Sequence, residues 1–260
     1  MTPTLSEMEL LARQAGVILR AGFRQNIEIT AKTTSIDLVT EMDRRSEEFL
    51  IGSLQKHYPD HHFIAEESGV QGQDTAHIWY IDPLDGTVNY AHGIPIFAVS
   101  IAYIRDGQAT LGVVYDPMQD ECFSAERGRG AWLNGTPVKV ASAPGLGSAL
   151  LVTGFSYDIW NNPVNNLDHF ARFSLRSQGV RRLGSAALDL SYVAAGRFDG
   201  YWELQVKPWD IAAGALIASE AGARVTTVNG DAEYLSGSPS IIAANPALHA
   251  ELFSLLHAPQ

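Results

Sequence analysis

At 260 residues, with 46% hydrophobic and 18% charged residues, the chain has the composition of an ordinary globular protein with a substantial core. A formal net charge of −11, offset by no basic cluster larger than Arg181-Arg182, argues against nucleic acid or an anionic membrane as a partner. No apolar run reaches the roughly 20 residues of a membrane span; the acidic start is unlike a signal peptide, and the single Cys122 cannot form an internal disulfide, so a reducing, cytoplasmic setting is expected.

In chain order, apolar residues at helical spacing predict a helix over 5–23, capped by Thr4 or Ser6, and a second over 43–58 that Pro59 closes. Short strands follow at 62–65, 77–81, 96–104, 110–115 and 121–126. Turns at Arg105-Asp106-Gly107 and Gly128-Arg129-Gly130 make this middle region read as an antiparallel sheet. The stretch Ala143-Pro144-Gly145-Leu146-Gly147 breaks the pattern. Beyond it, strands at 149–153, 198–204, 224–228 and 240–243 alternate with helices at 164–175, 185–195, 209–221 and 247–256, which predicts a layered α/β half. The expected division is therefore 1–145 and 146–260, packed as one catalytic unit.

Four acidic segments carry the candidate chemistry. Asp37-Leu-Val-Thr40-Glu-Met-Asp43 leads into the second helix; Thr40 or Asp43 suits a cap, whereas Asp37 precedes an apolar pair and looks inward. Glu66 and Glu67 end a strand at a turn, either as a solvated strand end or as site carboxylates. In Trp79-Tyr-Ile-Asp82-Pro83-Leu84-Asp85-Gly86-Thr87, an apolar strand delivers two carboxylates to a Gly-Thr pair. Burying like charges this close is costly without a cation, and glycine followed by a hydroxyl residue lets a phosphate approach the backbone. Asp210, after Pro208, suits a helix start, and a capping aspartate with one oxygen free can still ligate metal. Hard oxygen donors suit Mg2+, completed by water and substrate phosphate, and no Cys/His cluster offers a zinc site.

Haloacid-dehalogenase-type phosphatases, whose first aspartate attacks phosphorus, carry Asp-x-Asp-Gly-Thr. Here Asp82 and Asp85 are one residue further apart. In an extended strand that change would turn the second carboxylate to the opposite face, while Pro83 bends the chain. The spacing argues for metal-activated water rather than an aspartyl-phosphate.

Together with Gly112-Val-Val-Tyr115 and Gly128-Arg-Gly-Ala-Trp-Leu-Asn-Gly135, these motifs resemble the inositol monophosphatase family over roughly residues 11–243. The resemblance implies a layered αβαβα sandwich, usually a homodimer, lithium sensitivity and up to three Mg2+ per subunit. By motif match it implies one ion on Glu66, Asp82 and the Leu84 carbonyl, a second on Asp82, Asp85 and Asp210, and a looser third beside Glu66. It further implies a nucleophilic water oriented by Glu66 and Thr87, with Asp37 holding the Thr87 hydroxyl and the Gly86 and Thr87 amides meeting the phosphate. Four site carboxylates, three Mg2+ and a phosphate dianion would sum to zero charge.

Arg181 to Ala187 matches the family's sugar-facing turn, which nominates Gly184, Ser185 and Ala186 as substrate contacts, with Glu203 and Asp210 beside them. A carboxylate at Glu203 accepts hydrogen bonds from vicinal hydroxyls and repels a second phosphate. The expected substrate is a small polyol monophosphate, inositol 1-phosphate first. Histidinol phosphate and fructose 1,6-bisphosphate are the alternatives, and a non-catalytic regulatory binding protein is the reading from a different class. Residues 153–166 depart most from the family pattern and are expected to flank the pocket.

Overall fold

The computed structural model describes residues 2–142, 145–236 and 239–258, so Ala143 and Pro144 of the anticipated breaker lie outside the described residues. Helix α1 (Leu5–Gly22) starts where Thr4 Oγ1 accepts the Glu7 N–H, and it buries Met8, Ala12, Ala15 and Leu19 along one stripe. A small hairpin follows, β1 (Ile29–Ala31) with β2 (Leu38–Thr40). Helix α2 (Glu41–His57) begins two residues before the expected start, because Thr40 is its cap and Asp43 reaches back to the Thr40 N–H in a capping box.

The chain then runs through β3 (His61–Ala65), β4 (Gly69–Gln71), β5 (Asp74–Asp85), the short helix α3 (Thr87–Ala91), β6 (Ala98–Arg105), β7 (Gln108–Asp116), β8 (Glu121–Glu126), β9 (Gly130–Leu133) and β10 (Thr136–Pro137). These strands form a sheet in the order β10-β9-β8-β7-β6-β5-β3-β4. The expected antiparallel pairing holds except between β3 and β5, which run parallel. The second half supplies β11 (Leu150–Thr153), α4 (Leu167–Ser174), β12 (Gly179–Arg181), α5 (Ala186–Ala194), β13 (Gly200–Glu203), α6 (Pro208–Glu220), β14 (Arg224–Thr226), β15 (Ile241–Ala244) and α7 (Pro246–Leu256). Its sheet has the order β12-β11-β13-β15-β14, parallel from β12 to β13 and antiparallel beyond. Helix α4 is shorter than the expected 164–175, since Asn166 adopts φ 65° immediately before it.

The layers follow from which helix faces are apolar. Helices α1 and α2 cover one face of the first sheet, α5 and α6 fill the space between the two sheets, and α4 and α7 cover the far face of the second. This is the αβαβα sandwich. Helix α6 is buried from Ile211 to Ala218, as a helix flanked by two sheets must be. One core cluster accordingly draws residues from both halves, from Ala98 on β6 to Ala243 on β15. Close packing there depends on small residues: a Cβ added to Gly112 on β7 would lie 3.0 Å from the Ala213 carbonyl oxygen. Gly112→Ala is therefore expected to destabilise the fold by about 1–3 kcal/mol, read as a lower urea midpoint at unchanged slope.

Candidate active site

A cleft of about 730 Å³ gathers residues from both halves. Glu66, Asp82, Leu84, Asp85, Gly86 and Thr87 line it from the first half, with Asp37 at its edge; Gly184, Ser185, Ala186, Glu203 and Asp210 line it from the second.

Local sequence sets each position. Along β5, the register with β6 shifts between Asp82 and Asp85, where Pro83 has no N–H to give the ladder. Asp82 Oδ1 accepts the Leu84 N–H at 3.0 Å, a tight turn after which Asp85 lines the cleft as a buried residue. Gly86 follows at φ +100°, and an added Cβ there would meet the Ile96 carbonyl oxygen at 2.9 Å. Asp85 Oδ2 accepts from Ser185 Oγ (2.6 Å) and from the Ala187 N–H (2.7 Å), tying β5 to the start of α5. Asp210 Oδ2 accepts the Lys207 N–H at 2.8 Å. Asp210 is therefore not the N-cap expected from sequence: Lys207 holds that position, and Asp210, three residues on, reaches back to its N–H with one oxygen.

The expectation that Asp37 holds the Thr87 hydroxyl is corrected. Thr87 Oγ1 lies 3.1 Å from Asp43 Oδ1 and 3.0 Å from the Leu84 carbonyl oxygen, the two acceptors within reach of its single proton. Asp43, one turn into α2 and fully buried, gives its other oxygen to the Thr40 cap at 2.7 Å from N and 2.6 Å from Oγ1. Asp37 instead accepts from Thr33 Oγ1 at 2.6 Å, within its own loop. Asp43→Ala should accordingly lower turnover by roughly a hundredfold, and Asp37→Ala by far less. Side-by-side steady-state kinetics would read this, and a larger loss at Asp37 would reverse the assignment.

Lys32 was not nominated by sequence. Its Nζ lies 2.8 Å from Glu66 Oε1 and 2.5 Å from Glu67 Oε1. Burial pulls the Lys32 pKa down, but the two glutamates outweigh it and hold the ammonium charged. For Glu67 the balance goes the other way: burial pushes it up to about 7 despite Lys32.

Negative charge is in excess at the centre of the cleft. Burial first, then the charges of Glu66, Asp85 and Asp210, push Asp82 well above the usual carboxylate range. Asp210 is raised by burial, Glu66 and Asp85. Asp85 is raised by burial to about 6, moderated by its bonds to Ser185 and Ala187. Burial likewise raises Asp43 to about 6 and Glu203 to about 7.

Among the described residues, no three His, Cys, Asp or Glu side chains are drawn up around a common ion position. The hydrogen bonds above account for this: Asp82, Asp85 and Asp210 each turn an oxygen toward a protein donor, and Glu66 turns toward Lys32. The donor set nevertheless fits a hard divalent cation, being oxygen throughout, with carboxylates whose mutual repulsion a cation would relieve.

Comparison with known proteins agrees with this chemistry. The model of the inositol monophosphatase family matches residues 2–259. The chain belongs to the inositol monophosphatase family. As a family member it is a phosphatase for a small phosphorylated substrate, and the family is generally metal-dependent. A protein named Nus factor SuhB from Pasteurella multocida is 43% identical over 98% of this chain and 96% of its own length. An inositol-1-monophosphatase from Mesorhizobium japonicum is 41% identical, over 98% of this chain and 96% of its own. The solved inositol monophosphatase of Anabaena superposes with a TM-score of 0.86 at 41% identity, covering 97% of this chain and 94% of that one. Among the described residues, no helix is long and apolar enough to cross a membrane.

Proposed function

We propose that the chain hydrolyses the phosphate monoester of a small polyol, inositol 1-phosphate foremost, with Mg2+ as its metal and as a homodimer. The observation that carries this reading is one cleft lined together by buried carboxylates short of positive charge, by Gly86 and Thr87, and by Glu203. Glu66, Asp82, the Leu84 carbonyl, Asp85 and Asp210 would hold the ions. When bound, the ions would activate water and offset charge on the leaving oxygen.

The chain's own groups do the rest. Because Thr87 Oγ1 donates its proton to Asp43 or to the Leu84 carbonyl, its lone pairs are left to accept from water and so orient it. Glu66, across the cleft, is the acceptor for that water's proton. Gly86, free of a Cβ, leaves room for phosphate against the backbone. Glu203 is held by the Tyr201 hydroxyl at 2.5 Å and is placed for the hydroxyls of the alcohol portion. The bond between Ser185 and Asp85 makes residues 1–145 and 146–260 one catalytic unit in this reading.

The relatives named inositol-1-monophosphatase support the substrate class. The relative named Nus factor SuhB favours a second reading, a binding role on the same fold, which the full carboxylate set makes the less favoured of the two. Phosphate release from inositol 1-phosphate, histidinol phosphate and fructose 1,6-bisphosphate, compared as kcat/KM with Mg2+ present, tests the choice. Inositol 1-phosphate should lead; a higher value for either competitor would displace it.

A further inference from the structure

One buried carboxyl takes no part in the chemistry above. Asp189, in the first turn of α5, is 1% exposed, and its Oδ1 is sealed from solvent without a hydrogen-bond partner. The cap of α5 is Ser185, whose Oγ accepts the Leu188 N–H. Every residue of α5 from Ala187 to Ala194 is buried, so an apolar side chain would suit the position. An orphaned polar atom in such a place is destabilising. Yet Asp189 also lines the cleft, as do Glu203 and Arg182. The charge of Glu203 acts on Asp189, and the Arg182 guanidinium acts on both carboxyls. Glu203 itself lies close against the chain at Gly154, where an added Cβ would fall 2.0 Å from Oε2.

We propose that Asp189 joins Glu203 as a two-carboxyl subsite for the alcohol portion of the substrate, recognising a vicinal pair of hydroxyls. The inference rests on the phosphatase reading above and narrows it. Two neighbouring carboxyls offer acceptor oxygens for both hydroxyls of a diol, and an asparagine in place of one puts an NH2 donor where an acceptor is needed. An aryl phosphate has nothing to offer the pair. Asp189 contacts substrate but not the phosphorus, so it determines specificity rather than the chemical step.

The test compares kcat/KM for inositol 1-phosphate and for p-nitrophenyl phosphate in the Mg2+-loaded wild type, Asp189→Asn and Asp189→Leu. The ratio of the two values should fall about tenfold or more in both variants, chiefly through a higher KM for the polyol ester. The melting temperature of Asp189→Leu should be at or above that of the wild type, because the orphaned oxygen is gone. Should that variant misfold, Asp189→Asn carries the ratio alone. A ratio unchanged within about twofold, or parallel losses on both esters, would overturn the subsite. If the wild type cleaves neither ester, the phosphatase reading fails first and takes the subsite with it; cleavage with an unmoved ratio sinks the subsite alone.

Discussion

Replacing Asp85 with asparagine is expected to lower kcat/KM for phosphate release by roughly a thousandfold while the protein stays folded. The size follows from losing several kcal/mol of charge stabilisation in the transition state, at about 1.4 kcal/mol per tenfold. The fold should survive because asparagine keeps an acceptor oxygen for Ser185 Oγ and the Ala187 N–H, which dock α5 against the end of β5. Removing one negative charge also relieves repulsion with Asp82 and Asp210, both raised by the charge of Asp85. Thermal melts in chelator should therefore show Asp85→Asn at or above the wild type. Kinetics and melts together separate loss of chemistry from loss of fold; near-normal turnover in a folded variant would remove Asp85 from the site.

Stability in chelator should fall as pH rises from about 5 to about 7.5, and Mg2+ should abolish the fall. Unfolded aspartates and glutamates ionise near 4, whereas folded Asp43 and Asp85 hold their protons to about 6, and Glu67 and Glu203 to about 7. Between these values the folded state binds more protons than the unfolded state. The stabilisation is thus complete below the unfolded pKa and is lost as pH climbs through the folded one. For Asp85 alone, the rise from 3.8 to about 6 is worth on the order of 3 kcal/mol. A bound divalent cation favours the ionised carboxylates and so cancels this dependence. Urea unfolding at the two pH values, with chelator and with Mg2+, reads this directly. Stability that rises with pH in chelator would contradict the electrostatic account of the cleft.

Much of this arrangement could be read from the residues, and the gaps have physical causes. Helices α1 and α2 are legible because a 3.6-residue apolar period runs through each, and α6 and α7 because a long apolar run follows a proline at the helix start. Strands β1, β4 and β12 span three residues each, too few for any period to register. Helix α3 spans five, after a glycine whose left-handed φ hides the turn. The parallel step between β3 and β5 was missed because pairing direction is set by the chain between strands, not by the strands themselves. At the site, Asp82, Asp85 and Glu66 stood out as charges ending apolar runs. Asp43 reads from sequence as a cap, and it completes the capping box of Thr40; a carboxylate in that part spends one oxygen and leaves another for Thr87. Lys32 and Asp189 gave no signal at all. A lysine in a hairpin and an aspartate in a helix are ordinary until tertiary contacts place one between two glutamates and bury the other beside Glu203.

The central claim is that carboxylates from both halves of the chain create a site that works only when a divalent cation balances them. Its most direct test is inorganic phosphate release from inositol 1-phosphate by chelator-stripped protein as Mg2+ is added back. Release should begin near zero and rise to saturation with the added ion. Release that is already complete without Mg2+, or that never appears at any concentration, would contradict it.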